Sequence, residues 1–244
     1  MSDNDIGPGG SGDRMITGYS PPQSTADLPR QKSLDAAADF SRTQYMNIFT
    51  TPLVIHIWED GSELNEVLKD SILAHQAKSS GITKSNSGGW HSEVGQLEFC
   101  GGAGMRLREH MYALANEATR RFLAEQRREF SPINWTLSAW ANVNRSGDFN
   151  KVHVHPGSTW SGTYYIDTGE PVDPAGGAPL HLINSCQGRD LTFLPSLRPT
   201  NVYVQPVPGL MVVFPSYVPH MVFPHVGSGT RISVAFNLRK EPFP

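Results

Sequence analysis

NKVHVHPGSTWSG, Asn150 to Gly162, sets two short apolar-polar alternations on either side of a Pro-Gly turn and places two histidines one valine apart. Alternation with turn punctuation reads as strand, turn, strand. In a strand, residues i and i+2 project from the same face, about 6.5–7 Å apart along the chain. His153 and His155 can therefore point together into a barrel and chelate one ion. They can equally be two polar residues of a half-exposed strand. The stretch alone leaves both readings open, because an H-x-H pair needs a third ligand from elsewhere.

Working outward, the alternating period holds from Ile133 to the end of the chain. Strands are expected at about 134–144, 151–156, 160–167, 179–183, 191–194, 201–205, 209–215 and 230–238, with Gly or Pro between most of them. Many short strands separated by turns point to a sandwich, jelly roll or barrel. The half before Ile133 reads differently. Pro52–Trp58 (PLVIHIW) is an expected strand, and Ser62–Lys78 an amphipathic helix with Leu64, Val67, Leu68 and Ile72 on one side. Lys84–Ser92 (KSNSGGWHS) reads as a Gly/Ser-rich loop. Gly104–Glu129 reads as a long helix with Leu107, Met111, Leu114, Ala118 and Phe122 at core-facing spacing. The expectation is a mainly β protein with flanking helices. Residues 1–45, rich in Gly, Pro, Ser and Asp, read as a flexible or partner-ordered arm, a dimer contact being one use for it. Residues 46–244 read as one domain, with a helical part at 62–129 and a β core at 133–240.

Composition narrows the partners. The 244 residues are 38% hydrophobic, with 23 Gly and 19 Pro, and carry a formal charge of -3. No broad basic field favours nucleic acid or an anionic membrane. Arg106, Arg108, Arg120, Arg121, Arg127 and Arg128 fall on a helical pattern and read as a solvated face. Cys100 and Cys186 make no disulfide framework or zinc knuckle. No secretory signal or run of about 20 apolar residues is visible. The expected location is a reducing, cytoplasmic compartment.

For a third ligand, His220 is the best placed, after LMVVFPSYVP, a run of buried strand character. His225 competes but sits in a polar turn that reads as more exposed, and His181 in APLHLI has no supporting neighbour. His56, His75, His91 and His110 read as structural. Eleven residues after His220, Arg231 opens RISVAFN, with Ser233 on the same face. A guanidinium binds a carboxylate bidentately, and an inward-facing Arg needs such an anion, supplied by a ligand or by an internal Asp or Glu. Asn142 and Asn144, alternating beside Trp140, are candidates for a substrate mouth or for ordinary structural asparagines.

The ordered set N-x-x-H-x-H-P (Asn150–Pro156), SGTYYI (Ser161–Ile166), GGAPLHL (Gly176–Leu182), PGLMVVFPSYVPH (Pro208–His220) and RISVAFN (Arg231–Asn237) resembles the 2-oxoglutarate/Fe(II) oxygenases related to prolyl 4-hydroxylases. FTTPL (Phe49–Leu53) and SNSGGWHS (Ser85–Ser92) resemble that group as well. The resemblance implies a double-stranded β-helix, or jelly roll, packed against N-terminal helices. It implies Fe(II), 2-oxoglutarate as co-substrate and O₂, with His153, His155 and His220 as metal ligands. Arg231 and Ser233 would bind the far carboxylate of 2-oxoglutarate, and Tyr165 would assist it or simply fill the barrel. Gly176 and Gly177 match a structural turn. The implied activity is hydroxylation of an unactivated C–H bond in a small-molecule or protein substrate, with release of succinate and CO₂. His155 stands where the wider superfamily carries a carboxylate, so zinc, which His₃ also suits, is a second metal. A three-histidine metalloenzyme without 2-oxoglutarate and a non-catalytic β-helix binding module are the alternatives.

Overall fold

The computed structural model describes residues 14–16, 50–173, 177–185 and 201–241. The strand expected at 191–194, Gly176, Cys186 and nearly all of the arm lie outside those residues. Twelve strands are described, and they form two six-stranded sheets. In chain order they are β1 (Arg14–Ile16), β2 (Val54–Ile57), β3 (Asn86–Ser87), β4 (Trp90–His91), β5 (Trp135–Asn144), β6 (Phe149–His153), β7 (Trp160–Pro171), β8 (Leu180–Ile183), β9 (Asn201–Val204), β10 (Leu210–Pro215), β11 (His220–Val222) and β12 (Gly227–Lys240). The smaller sheet runs β1-β9-β8-β11-β6-β3 and the larger runs β2-β10-β7-β12-β5-β4. β1 pairs parallel with β9, within the arm read from sequence as loose, and every other pairing is antiparallel.

The larger sheet separates two environments by the period of its strands. Leu137, Ala139, Ala141 and Val143 on β5, with Ile232, Val234, Phe236 and Leu238 on β12, join the core that the helices cover. Helix α1 (Gly61–Gln76) contributes Leu64, Leu68 and Ile72, and α2 (Gly101–Glu125) contributes Leu107, Met111, Leu114, Ala115 and Ala118. Three- and four-residue spacing puts each set on one stripe. The residues between them turn toward the smaller sheet, since successive strand side chains alternate in direction. A second apolar group, with Tyr165, Leu180, Leu182, Leu210, Val212 and Phe214, fills part of the space between the sheets.

Several elements depart from the sequence reading. Helix α2 begins at Gly101, on a 3₁₀ turn at Glu98–Cys100, and stops at Glu125 rather than 129. Arg127 there has φ 54°, its N–H donates to Ala124 O and that of Arg128 to Leu123 O. That is a left-handed cap satisfying the last carbonyls, here without the usual glycine. The expected loop at Lys84–Ser92 is a strap. β3 pairs with β6 at the edge of the smaller sheet and β4 with β5 at the edge of the larger. Gly88 and Gly89, at φ 67° and 65°, make the step between sheets, a left-handed pair that side chains resist. The Arg-rich face is largely exposed, and its residues pair with Asp60, Glu109 and Glu117. No helix among the described residues is long and apolar enough to cross a membrane.

Candidate active site

Three strands' ends bring the histidines together. β6 ends at His153, and the chain continues extended so that His155 N–H donates to Ser216 O between β10 and β11. β11 begins at His220, which pairs across the sheet with His153. His155 is thus just past the strand in which it was expected, yet its ring reaches the same spot. One ligand atom from each of His153, His155 and His220 lies within 4.8 Å of the others. This is the metal-competent group of three found among the described residues.

The ring nitrogens are prepared for a ligand role. His153 Nδ1 lies 2.6 Å from Lys151 O, and His220 Nδ1 lies 2.9 Å from Val218 O. A carbonyl only accepts, so Nδ1 carries the proton in both rings and Nε2 keeps its lone pair. Burial holds the imidazoles neutral: His155 is pushed down to about 4 and His220 to about 3, and His153 is lowered too. His155 is oriented by packing, its ring centroid 5.8 Å from that of Trp140, which stacks on buried His91 at 5.4 Å.

The same cavity reaches Arg231 and Ser233 and is bordered by Trp140, Asn142 and Asn150. Arg231, Ser233 and Ala235 on β12 pair with Asn144, Asn142 and Trp140 on β5, so all six share the inner face. Arg231 is 2% exposed. Its Nη1 donates to Ser233 Oγ at 3.2 Å, and its Nε has no hydrogen-bond partner among the described residues. Its guanidinium lies over the Tyr165 ring, 5.2 Å from the centroid. Burial pushes the Tyr165 phenol up to about 12, against the opposing pull of the Arg231 guanidinium beside it. Burial lowers Arg231 as well, opposed by Tyr165 and by no carboxylate among the described residues. A fully buried cation of this kind is costly unless something anionic meets it. The internal Asp or Glu that the sequence left open is not there among the cavity's described lining residues.

The competing histidines sit elsewhere. His225 is fully buried, not exposed as its polar turn suggested, because the chain folds it under Gly169. His181 stacks on Tyr203 and Phe223. His56 and His110 flank Trp58, and His75 packs on Phe99. Asn142 lines the cavity, whereas Asn144 is not among its described lining residues. Sequence reasoning passed over Asn150 and Ser85 as cavity residues; their signal was the strap pairing of Asn86 with Asn150, which no local pattern encodes.

Residues 138–237 match the family described as putative 2OG-Fe(II) oxygenase. That match spans most of the β core, from β5 to β12. No match was found among curated proteins. Among solved structures, a Pseudomonas putida prolyl-4-hydroxylase is similar at 18% identity, covering 79% of this chain and 95% of its own, with a TM-score of 0.56. A Trichoplax adhaerens prolyl hydroxylase, solved with a hypoxia inducible factor peptide fragment, gives 14%, 77%, 83% and 0.51 for the same quantities. SnoK, an alpha-ketoglutarate-dependent carbocyclase of nogalamycin biosynthesis, gives 12%, 78%, 80% and 0.51. At these identities the likeness carries the fold, and the sheets here are the double-stranded β-helix that the sequence resemblance implied. The donor set suits the cofactors of the family that residues 138–237 match: three neutral nitrogens for a metal, and a buried guanidinium, met by no carboxylate among the cavity's described lining residues, for a carboxylate.

Proposed function

We propose that this protein is a 2OG-Fe(II) oxygenase, a dioxygenase that hydroxylates an unactivated C–H bond and releases succinate and CO₂. The observation that carries the reading is the buried Arg231 in the cavity of the three-histidine group, with no carboxylate among the cavity's described lining residues to meet it. In it, His153, His155 and His220 hold the metal through nitrogens freed by the Nδ1 bonds to Lys151 O and Val218 O. Bound Fe(II) with 2-oxoglutarate supplies the oxidising chemistry that activates O₂. Arg231 binds the far carboxylate through its free edge, with Ser233 fixing the other edge. Tyr165 backs the guanidinium, and its high pKa keeps its hydroxyl a donor at neutral pH. Trp140, Asn142 and Asn150 border the space left for the substrate, a small molecule or a protein side chain. Cys100, a buried thiol pushed up to about 12, fits residence in a reducing cytoplasm.

A three-histidine zinc hydrolase would leave Arg231 without a task, which is why the oxygenase reading is preferred. Anaerobic titration of the Fe(II) protein with 2-oxoglutarate tests it. A visible metal-to-ligand charge-transfer band is expected on chelation, and Arg231→Ala should weaken the titration strongly. Unchanged 2-oxoglutarate affinity in that variant would remove Arg231 from the site.

A further inference from the structure

The fixed charge in the cavity is one-sided. Arg231 is buried, donates to a neutral hydroxyl and lies over a neutral phenol ring. The three imidazoles that line the same cavity bring no negative charge as ligands, and no Asp or Glu is among the cavity's described lining residues. A divalent ion entering alone would place two more positive charges on ligands that bring none to offset them. In a site of reduced dielectric that repulsion is far stronger than in water. A ligand set with one carboxylate would not meet this difficulty to the same degree.

Resting on the oxygenase reading above, we propose that the metal ion and the dicarboxylate load into this cavity cooperatively, the dianion serving as counter-charge to both Arg231 and the metal. Arg231 then has two opposed effects. It attracts the dicarboxylate and, until the dicarboxylate arrives, it holds metal affinity down. The coupling is reciprocal, because whatever factor the anion adds to metal binding the metal adds to anion binding. The metal-free protein keeps a measurable affinity for dicarboxylates, and the metal alone is loosely held.

The test uses Mn(II) as a probe of the whole protein, with free ion followed by electron paramagnetic resonance under anaerobic conditions. Its dissociation constant is measured alone, with 2-oxoglutarate, and with glutarate. Glutarate has the same length and both carboxylates but no keto oxygen, so it separates charge compensation from chelation. For the wild type, 2-oxoglutarate should tighten Mn(II) by roughly 100-fold, near the upper end of common couplings, and glutarate by roughly 5-fold. Arg231→Met should bind Mn(II) alone more tightly than the wild type and lose the glutarate effect. His155→Asp should also bind Mn(II) alone more tightly, with the 2-oxoglutarate factor cut to roughly 10-fold or less. The sign for Arg231→Met is the decisive reading, since a residue that merely supports the site would weaken the metal when lost. Thermal unfolding checks that each variant is folded, and the His155→Asp arm stands if Arg231→Met is not. The proposal is overturned if glutarate leaves wild-type Mn(II) binding unchanged while 2-oxoglutarate binds, or if the folded variants hold Mn(II) no more tightly. If 2-oxoglutarate does not bind the Fe(II) protein at all, the oxygenase reading fails together with it.

Discussion

Ile232 and Arg231 are neighbours on one strand, both almost fully buried, and they live under opposite rules. Ile232 faces the helices and is stabilised by the company of Val234, Leu107 and Met111 in one apolar core. Arg231 faces the smaller sheet, where its Nε finds no partner among the described residues. The outer face of the larger sheet is built for stability. The inner face retains a buried charge with no carboxylate to meet it among the cavity's described lining residues, and that charge is what a ligand can recognise.

The comparison breaks first on the outer face. Ile232→Ala should cost about 2–5 kcal/mol, seen as a midpoint lowered by roughly 5–15 °C in thermal unfolding. A loss well under that range would mean that the outer face is less tightly packed than it looks. Acid acts on the inner face. His155 and His220 are held at about 4 and 3 in the folded protein and revert to about 6.5 on unfolding. The unfolded chain therefore binds more protons in that window. The contribution is fully present above pH 6.5 and is lost as pH falls toward 4 and then 3. Urea midpoints of the metal-free protein should drop across that range, and less steeply in His155→Gln, which removes one of the two groups.

Gly88→Ala should cost roughly 1–3 kcal/mol, because its φ is left-handed and a Cβ would meet the Asp148 carboxylate. Denaturant midpoints check it. Arg231→Met should change stability by less than about 1 kcal/mol, or raise it, since a well-packed apolar replacement removes an uncompensated charge. That result, beside lost 2-oxoglutarate binding, would sharpen the contrast between the two faces. The smallest effect concerns Cys100. Its thiol, buried and pushed up to about 12, should resist iodoacetamide at pH 8 until urea unfolds the protein, as mass spectrometry of the peptide carrying Cys100 would show.

Much of this division was written in the alternation. Period two along β5 and β12 separates Ala139, Ala141 and Val143 from Trp140, Asn142 and Asn144, and the same period places Arg231 with Ser233. His153, His155 and His220 were legible as a group through their ordered motifs, and the structure brings them to one point. Other features lay beyond local pattern. The burial of His225 depends on Gly169, 56 residues earlier in the chain, leaving room for its ring. The stack of His91 on Trp140 depends on β4 pairing with β5. The stop of α2 at Glu125 rests on a non-glycine residue accepting a left-handed cap, which propensity argues against.

The strap through Gly88 and Gly89 carries a temporal consequence. Its partners, Asn142 and Val143 on one sheet and Phe149 and Asn150 on the other, are synthesised more than fifty residues later. His220 and Arg231 come later still. Contacts of such sequence separation close slowly, because chain entropy is lost before they reward it. The rim of the cavity is thus among the last things the chain can assemble, and a growing polypeptide passes most of its synthesis without a place to hold a metal.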